Sequence, residues 1–158
     1  MRPAHLQTVL DKEFHSAVEG QHTPVMLWGA PGVGKSQIVA QVAKRNQVPM
    51  IDIRLSQMEP SDLRGIPFRN DTQVEWAIPA MLPDSQRDGE HGILFLDEIT
   101  SAAPSVSAAA YQLILDRRLG HYMIPAGWAI LAAGNRQGDR GVTSVSYTHL
   151  TLPTRCLG

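Results

Sequence analysis

The stretch GAPGVGKS, Gly29 to Ser36, decides how the rest of the chain reads. It satisfies G-x-x-x-x-G-K-S in full. A short apolar run, VMLW (Val25–Trp28), precedes it, and a helix-like run, QIVAQVAKR (Gln37–Arg45), follows. Glycines at this spacing let the backbone curl so that successive N–H groups face one anion. The following helix adds the positive end of its dipole to the same place. The stretch is therefore expected to grip phosphate through Gly29, Ala30, Pro31, Gly32, Val33, Gly34, Lys35, Ser36 and Gln37. Lys35 is placed to reach the β- and γ-phosphates of a nucleotide, and the Ser36 hydroxyl to ligate Mg²⁺. The bland alternative is a glycine turn between strand and helix.

Two further features say what the grip is for. ILFLDE, Ile93 to Glu98, is an apolar strand that delivers two carboxylates at its carboxyl end, where α/β sheets place ligands. Asp97 is expected to hold the Mg²⁺ hydration shell, and Glu98 to polarise an attacking water as general base. Alone, such a pair reads as the start of a solvated loop. Behind a phosphate loop it argues for hydrolysis, because holding a nucleotide requires no base. Asn135, at the end of WAILAAGN, is the third feature. At the tip of the next strand its amide can bond both the γ-phosphate and the attacking water. Otherwise it is a turn residue.

The remaining pattern frames these residues. Leu6, Val9, Leu10, Phe14, Ala17 and Val18 recur at helical spacing, and Gly20 ends the run. Met50–Ile53, Gly92–Leu96 and Trp128–Ala133 read as buried strands. Lys35 to about Asn46 and Pro104 to about Arg118 read as helices, the second closed by Gly120. Pro60–Asp62 predicts a helical turn, and Asn70–Asp71 a turn between the strands of a hairpin. SQRDGEHG reads as a polar loop. Strands alternating with helices predict an α/β domain with a mostly parallel sheet. Apolar content of 43% with 18% charged residues fits one globular domain, and a net charge of −1 gives no bulk pull toward nucleic acid or membrane. The single cysteine, Cys156, excludes an internal disulfide framework. No run has membrane-spanning length and the first residues lack a signal-peptide core, so a cytoplasmic protein is expected. The scattered histidines show no metal-ligand spacing. Arg117 and Arg118 are read as complementing a helix C-terminus, with a subunit-interface role as the alternative.

The glycine loop, LFLDE and strand-tip Asn135, in this order, resemble an AAA+ ATPase core: Walker A at Gly29–Ser36, Walker B at Ile93–Glu98, sensor 1 at Asn135. PSDLRG with the hairpin-like FRNDTQVEWAIPAMLP looks like the helix-2 insert of the MoxR branch, as do LILDRRLG and AAGNRQGDRG. The resemblance runs from about residue 5 to 142. It implies a P-loop NTPase αβα sandwich that binds ATP and Mg²⁺ and hydrolyses ATP. It also implies a homo-oligomeric ring, a hexamer, whose intact form remodels a protein partner, often one with a von Willebrand factor A domain. Nucleic acid and membrane are not expected partners. This chain departs from the branch at Thr100 and Ser101, where an Asn-Arg pair often follows the Walker B acids. It also shows no adenine-contact motif.

The pattern divides the chain into residues 1–142, a partial AAA+ core, and 143–158, a tail expected to be non-native or disordered. The tail TSVSYTHLTLPTRCLG carries no acid and no period, and resembles vector read-through. The family continuation (an arginine finger, a fifth strand beside the first, a helical lid with a sensor arginine) is not seen in the sequence. Arg136 and Arg140 do not match the finger's place. Strand Val25–Trp28 is therefore expected to be an open edge that promotes aggregation, and hydrolysis by this chain alone to be feeble. Two rivals remain. A phosphotransferase would need an acceptor site and a mobile lid. A non-catalytic nucleotide-binding fragment shares every motif. A GTPase is disfavoured because N-K-x-D does not occur.

Overall fold

The structure, a computed structural model, describes residues 3–18, 23–29, 34–77, 79–135 and 155–157. Its centre is a sheet of five strands: β1 Val25–Trp28, β2 Met50–Arg54, β5 His91–Asp97, β8 Gly127–Gly134 and β9 Arg155–Leu157. They lie in the order β2-β5-β8-β1-β9, and every neighbouring pair is parallel. All strands therefore present their carboxyl ends to the same rim.

Both faces of the sheet are covered, which is why the strands read as continuous apolar runs rather than alternating ones. Odd and even positions still divide. Val25, Leu27, Ile93, Phe95, Ala129, Leu131 and Ala133 pack with helices α1 (Pro3–Val18) and α2 (Lys35–Arg45) through Leu10, Phe14, Val39, Val42 and Ala43. Met26, Trp28, Leu94, Leu96, Trp128, Ile130 and Ala132 pack on the opposite face with α3 (Pro60–Arg64) and α5 (Pro104–Asp116) through Leu63, Val106, Ala109, Ala110 and Leu113. A one-residue slip of any central strand would exchange its two faces, so the register is fixed from both sides.

Two hairpins lie beside the α3–α5 face. β3 (Ile66–Asn70) and β4 (Gln73–Ala77) pair antiparallel about the expected turn, with Asp71 left-handed at φ 51°. β6 (Arg118–Leu119) pairs with β7 (Tyr122–Met123). The second hairpin corrects the predicted end of α5. That helix stops at Arg117, which adopts φ 56°, ψ 24°, while Gly120 (φ 62°) serves the hairpin turn instead. Arg117 also does something other than complement a dipole. Its guanidinium donates to the carbonyls of Pro125 at 2.9 Å and Trp128 at 2.8 Å, tying the helix end to the start of β8.

Two other expectations change. Within SQRDGEHG, Ser85–Asp88 form a helical turn, α4, because Asp84 accepts the N–H groups of Gln86 and Arg87 as an N-cap. The outer edge of β1 is not open either: β9 pairs with it over Val25–Leu27. The end of the tail thus contributes a strand where none was predicted. Gly20, Arg136, Arg140 and the rest of the tail lie outside the described residues.

Candidate nucleotide site

The shared rim of the sheet gathers the predicted chemistry. β1 runs into Gly29, β5 ends at Asp97, and β8 ends at Gly134 just before Asn135. Helix α2 begins at Lys35, with Gly34 at its N-cap in the left-handed conformation (φ 85°, ψ 22°) that glycine adopts without cost. A cavity of about 460 Å³ opens here, lined on one side by Gly34, Lys35, Ser36 and Gln37 and on the other by Asp97, Glu98, Gly134 and Asn135. Ala30, Pro31, Gly32 and Val33 lie outside the described residues. Gly29 is described, and its N–H donates to the Gly134 carbonyl at 3.2 Å.

Lys35 points inward. Its Nζ donates to the Gly29 carbonyl at 2.6 Å and lies 3.5 Å from the Gly134 carbonyl and 3.4 Å from Asn135 Oδ1. These three acceptors are uncharged. An anion in the cavity would meet the Lys35 ammonium together with the N-terminus of α2.

Facing it are the two acids. Burial pushes the Asp97 carboxyl above the ordinary aspartate value of 3.8, and the neighbouring Glu98 charge adds to this. The Glu98 N–H, donated to Asp97 Oδ1 at 2.8 Å, pulls the other way, as do Lys35 and Arg54. Asp52, one strand away, is also raised, first by burial and then by Asp97. Such a set of crowded acids invites a cation. Among the described residues no group of three or more His, Cys, Asp or Glu could cage a metal. Among the oxygen groups that line the cavity, the Ser36 hydroxyl and the Asp97 carboxylate are the two expected to reach a metal. That sparse, hard-oxygen set fits Mg²⁺, which takes one or two protein ligands and completes its shell with phosphate and water oxygens.

Glu98 has its own peculiarity. It sits at φ 56°, ψ 39°, left-handed and uncommon for a residue with a side chain. The conformation turns the chain sharply out of β5 into a 3₁₀ turn, Ile99–Ser101, where Ser101 N–H returns to the Glu98 carbonyl at 3.1 Å. The carboxylate accepts a hydrogen bond from Ser56 Oγ.

Sequence reasoning missed Arg54, Ser56 and Ser101, all of which line the cavity. Arg54 was within reach: it ends β2 in register with Asp97, so the same strand-tip rule that found Asp97 applies to it. Ser56 and Ser101 carry no local signal, because what matters about them is the neighbour that the fold brings.

Comparison with known proteins agrees with this fold. A provisionally assigned ATPase from Cytophaga hutchinsonii superposes with a TM-score of 0.60 at 17% identity, over 96% of this chain and 46% of the other. A full-length MCM homologue from Methanopyrus kandleri gives 0.52 at 24% identity, over 80% and 27%. The Thermotoga maritima RuvB Holliday junction branch migration motor gives 0.54 at 21%, over 85% and 39%. The chain thus spans less than half the length of each, and these likenesses establish the fold. No curated protein sequence matched. A family model for the AAA domain, dynein-related subfamily, matches residues 24–148. That span holds the phosphate loop, both acids and Asn135, and the chain belongs to this family of AAA domains.

Proposed function

We propose that the chain binds ATP with Mg²⁺ and, in its assembled form, hydrolyses it as a MoxR-type AAA+ ATPase that acts on a protein partner. One observation carries the enzymatic part: Lys35, Ser36, Asp97, Glu98 and Asn135 surround a single cavity at the carboxyl rim of the sheet. Lys35 pairs with the β- and γ-phosphates. Ser36 and Asp97 would hold Mg²⁺, which spreads phosphate charge when bound. Glu98 takes a proton from the attacking water, and the Asn135 amide orients that water against the γ-phosphate. Lys35→Ala should weaken Mg-ATP affinity by at least roughly tenfold in calorimetry, by removing a positive charge that faces the phosphates. Unchanged affinity would mean that the loop is not the grip.

The MoxR assignment draws support from the hairpin Ile66–Ala77, which follows α3 where the insert was expected. Its exposed Ile66, Val74 and Trp76, with a net charge of −1, favour a protein partner over nucleic acid. The ring, as a hexamer, the von Willebrand factor A-domain partner and the cytoplasmic location belong to the same proposal. Light scattering with and without Mg-ATP tests the ring: a strictly monomeric species under both conditions would count against it.

A further inference from the structure

The peptide unit joining Gly134 to Asn135 is held from both sides. Its carbonyl accepts the Gly29 N–H at 3.2 Å and lies 3.5 Å from Lys35 Nζ. Its N–H, that of Asn135, donates to Thr100 Oγ1 at 3.1 Å. A trans peptide is planar, so its C=O and N–H point oppositely and rotate as one body. The phosphate loop therefore holds one end of this plane, and the turn that carries Glu98 holds the other.

Thr100 is built into that position. It is 8% exposed, and the buried polar or charged side chains among the described residues are Glu13 and Thr100. It does not line the nucleotide cavity, so it acts through Asn135 and not by touching a ligand. Its methyl packs where Gly134 has no side chain: a Cβ there would come 2.8 Å from Thr100 Cγ2 and 3.1 Å from the Trp28 ring. Gly134 thus admits Thr100, and the Thr100 hydroxyl fixes the amide that follows.

We propose that Thr100 is a positioning residue that sets the angle at which Asn135 presents its side chain to the γ-phosphate, and so sets the preference of the site for ATP over ADP. This inference rests on the nucleotide reading above. A residue two places beyond Glu98 then couples the base to the γ-phosphate contact through a single hydroxyl.

The test compares ATP and ADP affinities of the full chain in Mg²⁺ by calorimetry. Thr100→Val keeps shape and removes the hydrogen bond. It should weaken ATP binding about three- to tenfold, the range expected for one lost hydrogen bond, and leave ADP within about twofold. Thr100→Ser should restore the wild-type ratio. Asn135→Ala should show the same selective loss, and adding Thr100→Val to it should weaken ATP no further, because the two act as one unit. If Thr100→Val does not fold, Thr100→Ala against Thr100→Ser carries the same comparison. An unchanged ratio in Thr100→Val, equal loss for both nucleotides, a Thr100→Ser no better than valine, or additive losses in the double variant would each overturn the assignment. Those outcomes leave the nucleotide reading standing if Lys35→Ala weakens Mg-ATP binding at least roughly tenfold. A wild-type chain that binds neither nucleotide would overturn both.

Discussion

At the residue scale, side chains of one type do unlike work. Asp97 and Glu98 are adjacent acids, yet with Glu98 left-handed they take different partners: Asp97 accepts the Glu98 N–H, and the Glu98 carboxylate accepts from Ser56. Glu98→Gln should therefore retain Mg-ATP affinity while steady-state hydrolysis by the assembled form falls by roughly 10²–10⁴, the span of a lost general base. Phosphate release during turnover, set against binding of the same preparation, checks this. Arg117 and Arg118 make a second contrast. Sequence treats them alike, but the first is half-buried and spans two carbonyls, and the second is exposed. Burial also lowers the Arg117 pKa from its ordinary value. Arg117→Ala should cost about 2–4 kcal/mol in urea unfolding, and Arg118→Ala within about 0.5 kcal/mol.

Elements differ in how much of them the sequence shows. The phosphate loop's neighbours, the Asp97 strand and the Ile66–Ala77 hairpin were all legible, because each is specified by contiguous residues: apolar runs, a glycine motif, an Asn-Asp turn. The single turn Ser85–Asp88 was not, since its capping aspartate, Asp84, resembles any polar loop residue until its two N–H partners are in place. The end of α5 was misjudged for a related reason. Glycine is the usual helix stop, and Gly120 competed with Arg117, whose bonds across to β8 hold it left-handed. The Ile66–Ala77 hairpin depends on a glycine in a different way. Gly65 (φ 82°, ψ −172°) lies at its base, and a Cβ there would fall 1.8 Å from the Ala77 carbonyl oxygen. Gly65→Ala should destabilise by more than about 2 kcal/mol. Gly89→Ala meets no neighbour within 4 Å at φ 96° and should show the backbone strain alone. The difference between the two denaturation midpoints reads the clash.

For the whole molecule, the parallel order and the two-sided core followed from alternation of strand and helix. The partner of β1 did not. Sequence placed an open edge there, because three residues some 130 positions away form no pattern of their own; only pairing along the sheet makes Arg155–Leu157 a strand. Removing residues 155–158 should expose the outer N–H and C=O groups of Val25–Leu27, and concentration-dependent association should then appear in light scattering. If the shortened chain stays as monodisperse as the original, β9 contributes nothing to solubility.

The placement of the three tryptophans has an optical consequence. Trp128 is fully buried and Trp28 is 7% exposed, while Trp76 is 45% exposed on the hairpin. An aqueous quencher such as acrylamide will dim the hairpin indole and spare the other two. What remains comes in part from Trp28, whose ring lies against Gly134 at the floor of the site. A quenched sample thus becomes an unlabelled gauge of that floor, able to follow nucleotide arrival in real time while the hairpin is kept dark.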